Sequence, residues 1–274
     1  MASARELIKW AEQELDGMCA DPHLDSVMLL SEVTEINRTH LLLEENIGSE
    51  HEIRFRSDIK RRRTGEPIQY ITGCAYFRKL TLSVGPGVLI PRPESELLVS
   101  DLIERIGHIP SPHIVDLGAG SGALALSLAT EVVNARVVAV ERDPQALYWL
   151  RKNVDAHNQS VEIVESDVAE FDGQGKFDAV IANPPYIPTS EHLPIEVANF
   201  EPHQALFGGL SGIELPEIFI GAAERALHPG GYFVIEHHES QGEQIKRILE
   251  RSFNNVALHY DLNNRPRWSS GVRK

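Results

Sequence analysis

From His113 onward, short apolar runs alternate with longer segments in which apolar residues recur every three to four positions. A short apolar run fits a buried strand, and the longer period fits a helix covering it. On this pattern residues 113–117, 136–140, 161–164, 177–181 and 232–236 are strands. Residues 123–132, 144–157, 215–227 and 242–253 are helices; Pro144 opens one of them, and His228-Pro-Gly-Gly231 stops another. Residues 256–260 and 268–272 are expected to close the sheet as a terminal strand pair. Such alternation predicts a mostly parallel, doubly wound α/β sheet with ligands at the carboxyl ends of its strands.

The first seventy residues carry a different pattern. Leu7, Ile8, Trp10, Ala11 and Leu15, then Val27, Leu29, Leu30, Val33 and Ile36, fall at helical spacing, and residues 41–43 form a short apolar segment. A helix over about 50–64 carries Arg54, Arg56, Lys60, Arg61, Arg62 and Arg63. That run reads as a solvated helix face, with a contact surface for an acidic partner or ribosomal RNA as the alternative. Tyr70-Ile71, Tyr76-Phe77, Leu80, Leu82 and Val84 alternate like strands, and Gly85-Pro-Gly87 is a turn signal. A helix from about 95 to 107 follows. The expected organisation is a helical, substrate-recognising domain at 1–73, a β-hairpin linker at 74–94 and an α/β domain at 95–274.

Composition narrows the function class. With 274 residues, 42% of them hydrophobic, the chain can bury a sizeable core. A formal charge of −14 argues against the whole molecule being a nucleic-acid binder, because phosphate contacts need Lys and Arg. Cys19 and Cys74 are the only cysteines and form no close-spaced pair, so no disulfide framework or cysteine zinc site is readable. Glu6, Lys9 and Glu12 interrupt the N-terminus, and no uncharged apolar run approaches the ~20 residues of a membrane span. A cytoplasmic protein with no membrane association is expected.

Two constellations carry the chemistry. Ile114-Val-Asp-Leu-Gly-Ala-Gly-Ser-Gly122 is a strand, a glycine loop and a helix start. Gly118 and Gly120 permit a tight turn and close approach of a ligand. Glu141 ends the next strand, where a carboxylate can accept from two ribose hydroxyls. Gly118-x-Gly120-x-x-Ala123 also satisfies the dinucleotide fingerprint, so the glycines alone leave a nicotinamide cofactor open. The second constellation, Asn183-Pro184-Pro185-Tyr186, follows an apolar run. A polar amide, two prolines and a tyrosine make a stiff, acceptor-rich strand end. Asn183 can accept through its side-chain oxygen and Pro184 through its carbonyl, while Tyr186 offers a flat apolar face with a polar tip. The group this cradle fits is an –NH2 on a planar system: an amide, an adenine or a guanine.

Asp116-Leu-Gly-x-Gly resembles motif I of the class I S-adenosylmethionine-dependent methyltransferases, and the Asn-Pro-Pro-Tyr resembles that of their amino-methylating branch. Three further segments resemble the HemK-type release-factor glutamine methyltransferases. They are Gly65-Glu-Pro-Ile-Gln-Tyr-Ile-Thr-Gly73, Leu89-Ile-Pro-Arg-Pro-Glu-Ser-Glu96 and Phe200-Glu-Pro-His-Gln-Ala-Leu-Phe-Gly-Gly209. The resemblance implies a Rossmann-like, seven-stranded methyltransferase domain. It implies methyl transfer from S-adenosylmethionine to N5 of the glutamine in the Gly-Gly-Gln motif of class I peptide chain release factors, with no direct DNA binding. Gly118, Ala119, Gly120, Ser121, Gly122, Glu141, Asp167, Val168 and Asn183 would hold the cofactor, with Arg92 as a clamp or a linker brace. Asn183 to Tyr186 would hold the glutamine, and Glu201 would bind substrate backbone or cap a turn. Asn183, Pro184 and Tyr186 would carry catalysis by aiming the amide nitrogen.

Three positions depart from the family pattern. Ser95 replaces a threonine, Val168 stands where an aromatic is often found, and His237-His238 follow Glu236. The two histidines read as strand-end residues rather than a metal pair, since neighbours on a strand face opposite ways. Two other functions stay open from sequence: an amino-methyltransferase acting on adenine or guanine, and a non-catalytic S-adenosylmethionine-binding adaptor.

Overall fold

The protein is described by a computed structural model covering residues 2–274. The described residues divide into two compact units: 2–74 with 193–200, and 75–192 with 201–274. They differ from the expected boundaries in two respects: residues 75–94, expected as a separate linker, belong to the second unit, and 193–200 join the first.

The first unit is helical: Ala4–Leu15, Pro22–Thr34, Arg38–Leu41, Ser49–Arg63, Ile68–Thr72 and the distant Ile195–Phe200. Ser3 and Glu6 form a reciprocal capping box at the first helix, and Asp21 caps the second, with Pro22 in its first turn. Leu7, Ala11, Leu30, Phe55 and Ile59 share its core. Tyr70-Ile71, expected on a strand, lie on a one-turn helix. Gly73 closes it at φ +79°, a backbone that glycine adopts without strain. The basic run is a solvated face at Arg54, Lys60, Arg61 and Arg63, but not at Arg62. Arg62 is buried, donates to Asp25 at 2.7 Å and Glu196 at 2.6 Å, and also reaches the Glu66 carbonyl. Arg61 pairs with Glu66 and Arg63 with Glu14, while Arg56 pairs with Glu52 and lies over the Trp10 ring. Glu196 is thus what binds the short helix Ile195–Phe200 into this unit.

The second unit begins with a hairpin, β1 (Cys74–Phe77) and β2 (Leu80–Ser83). Its sheet strands are β3 (His113–Leu117), β4 (Arg136–Glu141), β5 (Val161–Glu165) and β6 (Phe177–Ala182). A small pair follows, β7 (Ile187–Pro188) and β8 (Phe207–Gly209), then β9 (Leu227–Glu236), β10 (Phe253–Tyr260) and β11 (Pro266–Arg273). The seven-stranded sheet runs β10-β11-β9-β6-β3-β4-β5, parallel except where β11 pairs with β9 and β10. Side chains alternate between its two faces. Ile114, Val137, Ala179 and Val234 pack with Leu98 and Leu102 of helix Ser95–Ile106 and Leu124 of helix Ala123–Glu131. Val115, Val138, Val180 and Phe233 pack with Phe219 of helix Glu214–Ala226 and Leu249 of helix Gly242–Leu249. Covering both faces is what lets parallel strands be continuously apolar.

The helix stops before His228-Pro-Gly-Gly231 as expected, but those residues are an extrusion within a strand that begins earlier than the expected 232. The preceding helix ends at Ala226 and β9 starts at Leu227, opposite Phe177; the next pair is Ala179 with Tyr232. Five residues of β9 therefore span two of β6, and Gly230 turns the extra loop at φ +89°. The hairpin is fastened within this unit: Arg78 forks onto Glu131 at 2.6 and 3.1 Å. Asn153 ties Ser83 N and O to the Ser121 carbonyl, joining the hairpin to the glycine loop.

Candidate functional site

β3 has β4 on one side and β6 on the other, so the chain winds outward in both directions from it. The crevice at the strands' carboxyl ends is where an open α/β sheet holds ligands. A cleft with a cavity volume of about 230 Å³ opens there. Gly118, Ala119, Gly120 and Ser121 line it from β3, Glu141 from β4, Asp167 and Val168 after β5, and Asn183 and Pro185 after β6. Arg92 and Ser95 line it from the segment leading into helix Ser95–Ile106.

The glycine loop is shaped for close approach. Gly118, Gly120 and Gly122 all have positive φ. A Cβ on Gly122 would stand 2.7 Å from Leu150, and one on Gly118 3.0 Å from Phe219, whereas Gly120 faces open space. Gly120 N donates to Glu141 Oε2 at 2.9 Å, and Arg142 N and Asp143 N donate to its Oε1. Glu141 is thereby held at the cleft by three backbone amides, leaving part of its four-site acceptor capacity for a ligand. Asp116 is fully buried; its Oδ2 accepts from Ala125 N and its Oδ1 has no partner. Burial pushes its carboxyl up to about 7; the Ala125 amide opposes this and the Glu141 charge adds to it. Asp167 accepts from Ala169 N and from Arg142 at 2.5 Å, which hold its carboxyl below the ordinary value. Val168 is buried and lines the cleft, so an aliphatic wall stands where an aromatic was the family expectation.

The Asn183–Tyr186 segment is bonded from behind. Asn183 Nδ2 donates to Ser95 Oγ at 3.1 Å, and Ser95 Oγ donates to Glu236 Oε2 at 2.5 Å. Tyr186 Oη donates to the other Glu236 oxygen at 3.0 Å. Burial raises the Glu236 carboxyl, while Ser95, Tyr186 and the Arg267 charge lower it. Burial, then Glu236, holds the Tyr186 phenol well above its ordinary value, so it is a neutral donor. Pro184 is buried, and Gln241 Nε2 donates to the Tyr186 carbonyl at 2.8 Å. Asn183 and Pro185 reach the cleft; Pro184 and Tyr186 are not among its lining residues.

Glu201 is also absent from the lining. It is buried, taking Ile90 N at 3.1 Å and Arg92 at 2.5 Å, so both carboxylate oxygens brace the segment 90–92. Gln204, in turn, bonds Asp143 at the N-cap of helix Pro144–His157. The sequence reading missed Glu236 as a partner of Tyr186, and also Gln241 and Gly208. The signal for Glu236 was present: a carboxylate ending an apolar strand, in the same place as Glu141.

His237 and His238 do part company along the chain. His237 is buried between Ser269 Oγ and the His238 carbonyl, whereas His238 turns to Ser240 and Glu191. Burial lowers His237 from 6.5 to about 4. Its neutral ring then favours the folded state fully above pH 6.5, and that contribution is lost as pH falls towards 4, because only the unfolded chain takes up the proton over that range. The contribution is on the order of 3 kcal/mol. His237→Gln should therefore show a flatter melting temperature between pH 6.5 and 4 than the unsubstituted protein. Parallel pH profiles for the two proteins would refute the assignment.

Residues 93–199 match the family described as the methyltransferase small domain, and residues 6–73 match the PrmC N-terminal domain. A release factor glutamine methyltransferase of Streptomyces coelicolor is 42% identical over 228 residues, covering 81% of each chain. One of Bifidobacterium longum is 40% identical over 249 residues, covering 82% of this chain and 83% of that one. Among solved structures, a Thermus thermophilus 16S rRNA N2 G1207 methyltransferase in complex with AdoMet and guanosine is 25% identical, with a TM-score of 0.55. It covers 73% of this chain, which spans half of that protein's length. A methyltransferase from Pyrococcus furiosus, 18% identical, aligns over 82% of this chain and 98% of its own with a TM-score of 0.53, a likeness of fold.

Proposed function

The chain belongs to the release factor glutamine methyltransferases, and from that premise we propose that it methylates N5 of the glutamine in the Gly-Gly-Gln motif of class I peptide chain release factors, using S-adenosylmethionine. The observation that carries this reading is the direction of the Asn183 amide. Its nitrogen is spent on Ser95, so its oxygen is the atom left to accept from a substrate at the cleft.

The residues present fit the cofactor. Gly120 leaves room where any side chain would intrude, and Glu141 retains one acceptor site for a hydroxyl of the ligand. Gly118 to Ser121, Glu141, Asp167 and Val168 would hold it, with Arg92 at the margin as part of the brace it forms with Glu201; Gly122, expected among them, is packed against Leu150 and Leu126 and does not line the cleft. When bound, S-adenosylmethionine supplies a methyl group activated on a sulfonium.

An amide nitrogen is a poor nucleophile, since its lone pair is delocalised into the carbonyl. Asn183 Oδ1 and the Pro184 carbonyl accept the two amide hydrogens, which raises electron density on nitrogen and sets its direction. Pro184 and Pro185 make that geometry stiff. Tyr186, neutral and tied to Glu236 behind the cleft, steadies the segment rather than taking the amide proton. The proton leaves to water. Alignment of this kind supplies up to roughly 7–11 kcal/mol of barrier lowering.

The names of the relatives favour glutamine over a nucleobase, and an intact cradle beside an intact cofactor loop argues against a non-catalytic adaptor. No helix among the described residues is long and apolar enough to cross a membrane, and we place the protein in the cytoplasm with its substrate. Incubation with S-adenosylmethionine and a release factor should add one methyl group to the Gly-Gly-Gln glutamine, read by mass spectrometry of that peptide. Methyl transfer confined to DNA or RNA offered in its place would overturn the proposal.

A further inference from the structure

We propose that Ser95 and Glu236 are positioning residues that dictate which end of the Asn183 amide faces the substrate, and so set the preference for a glutamine over a glutamate. The inference rests on the reading of Asn183 as the glutamine cradle and adds to it the device that orients the cradle.

An asparagine amide is nearly symmetric in shape, and its two ends differ only in hydrogen bonding. Turned one way, Asn183 offers an oxygen and accepts from an –NH2. Turned the other way, it offers an –NH2 and repels one. Something must hold the choice, and the structure contains a chain of donors that does so. Glu236 is 1% exposed and, as a carboxylate, can only accept. Ser95, 3% exposed, has a single hydroxyl hydrogen and gives it to Glu236 Oε2 at 2.5 Å. Its oxygen then has only lone pairs left for Asn183, so the atom that meets it at 3.1 Å is the donor Nδ2. Oδ1 is left for the cleft. Tyr186 occupies the second Glu236 oxygen at 3.0 Å and keeps the carboxylate from turning away. Burial pulls the Glu236 carboxyl upward, and the hydrogen bonds from Ser95 and Tyr186 and the Arg267 charge act against that. One buried carboxylate thereby fixes both side chains of the cradle, and it reaches them from β9 and helix Ser95–Ile106 rather than from the Asn183–Tyr186 segment itself.

Selectivity follows from the same polarity. An acceptor pair suits the –NH2 of glutamine and faces a glutamate carboxylate with like partial charge. Loss of the Ser95 hydroxyl frees Asn183 to turn Nδ2 outward, which penalises glutamine and admits glutamate.

The test compares full-length protein, Ser95→Ala and Ser95→Thr. The readouts are turnover on a release factor, and binding of the same release factor with Gly-Gly-Glu in place of Gly-Gly-Gln. Ser95→Ala should lose about tenfold or more in turnover. Its binding preference for glutamine over glutamate should also fall by about tenfold or more. Ser95→Thr, which restores a hydroxyl, should recover both. Should Ser95→Ala fail to fold, Glu236→Asp withdraws the acceptor by one methylene and is read by the same ratio. An unchanged preference, with glutamine and glutamate weakened alike, would mean a structural role only and would overturn the inference. If Asn183→Ala kept its turnover, the cradle reading itself would fall; if Asn183→Ala is inactive and Ser95→Ala is unaffected, only this inference falls.

Discussion

Asn183→Ala is expected to lower turnover by about 10²–10³, the cost of losing one preorganised contact to a developing charge. The substitution removes the only side-chain carbonyl in the Asn183–Tyr186 segment and leaves the Ser95 hydroxyl facing a gap. The strand beneath it is unaffected: β6 is buried between two covered faces, and Asn183 lies just past its end. The loss should therefore fall on catalysis rather than on folding. Single-turnover methylation at saturating cofactor, with thermal melting as the folding control, separates the two. A variant retaining more than a tenth of the normal rate would remove Asn183 from its assigned role.

That residue was legible in the sequence because its chemistry conflicts with its surroundings. A polar amide and two prolines after an apolar run have no use in a core, so they announce a site. The glycine loop is legible for a related reason: three closely spaced glycines at a strand end mark a backbone that side chains would block, and all three have positive φ. What the sequence conceals are long-range partners. Nothing local says that Ser95 and Glu236, 141 positions apart, share a hydrogen bond, or that Arg62 is buried by Asp25 and Glu196 rather than solvated. A run of arginines looks the same from sequence whether its counter-charges are water or carboxylates. His228-Pro-Gly-Gly231 did stop the helix, at Ala226, but the strand starting before them was concealed for a similar reason. Proline and glycine do end local structure, but β6 continues the ladder on either side of them and tertiary pairing prevails.

Gly208→Ala is expected to be strongly damaging although it lies outside the cradle. A Cβ at Gly208 would stand 2.5 Å from the Pro185 carbonyl oxygen, 2.6 Å from the Gly212 carbonyl oxygen and 2.8 Å from Tyr186 Cα. All three are backbone atoms, so no rotamer change relieves the overlap. At Gly87 or Gly122, by contrast, the nearest atoms belong to the side chains of Gln145 and Leu150, which can shift. Relief at Gly208 requires β8 to part from β7, which carries the chain directly after Tyr186 and is paired to β8 through the Ile187 N to Leu206 carbonyl and Thr189 N to Gly209 carbonyl bonds. A displacement near 1 Å at Pro185 and Tyr186 would pass to Asn183 and the Pro184 carbonyl. Misplacement of that size costs about 10²-fold in rate. The glycine loop and Glu141 lie on β3 and β4, away from this strain, so binding of S-adenosylmethionine should persist. The expected signature is cofactor affinity within a few-fold of normal, by calorimetry, together with turnover down by about 10². Normal turnover would show that β7 and β8 are free to separate without moving the cradle. Equal losses of cofactor binding and turnover would place the damage in the fold of the unit rather than in the aim of Asn183.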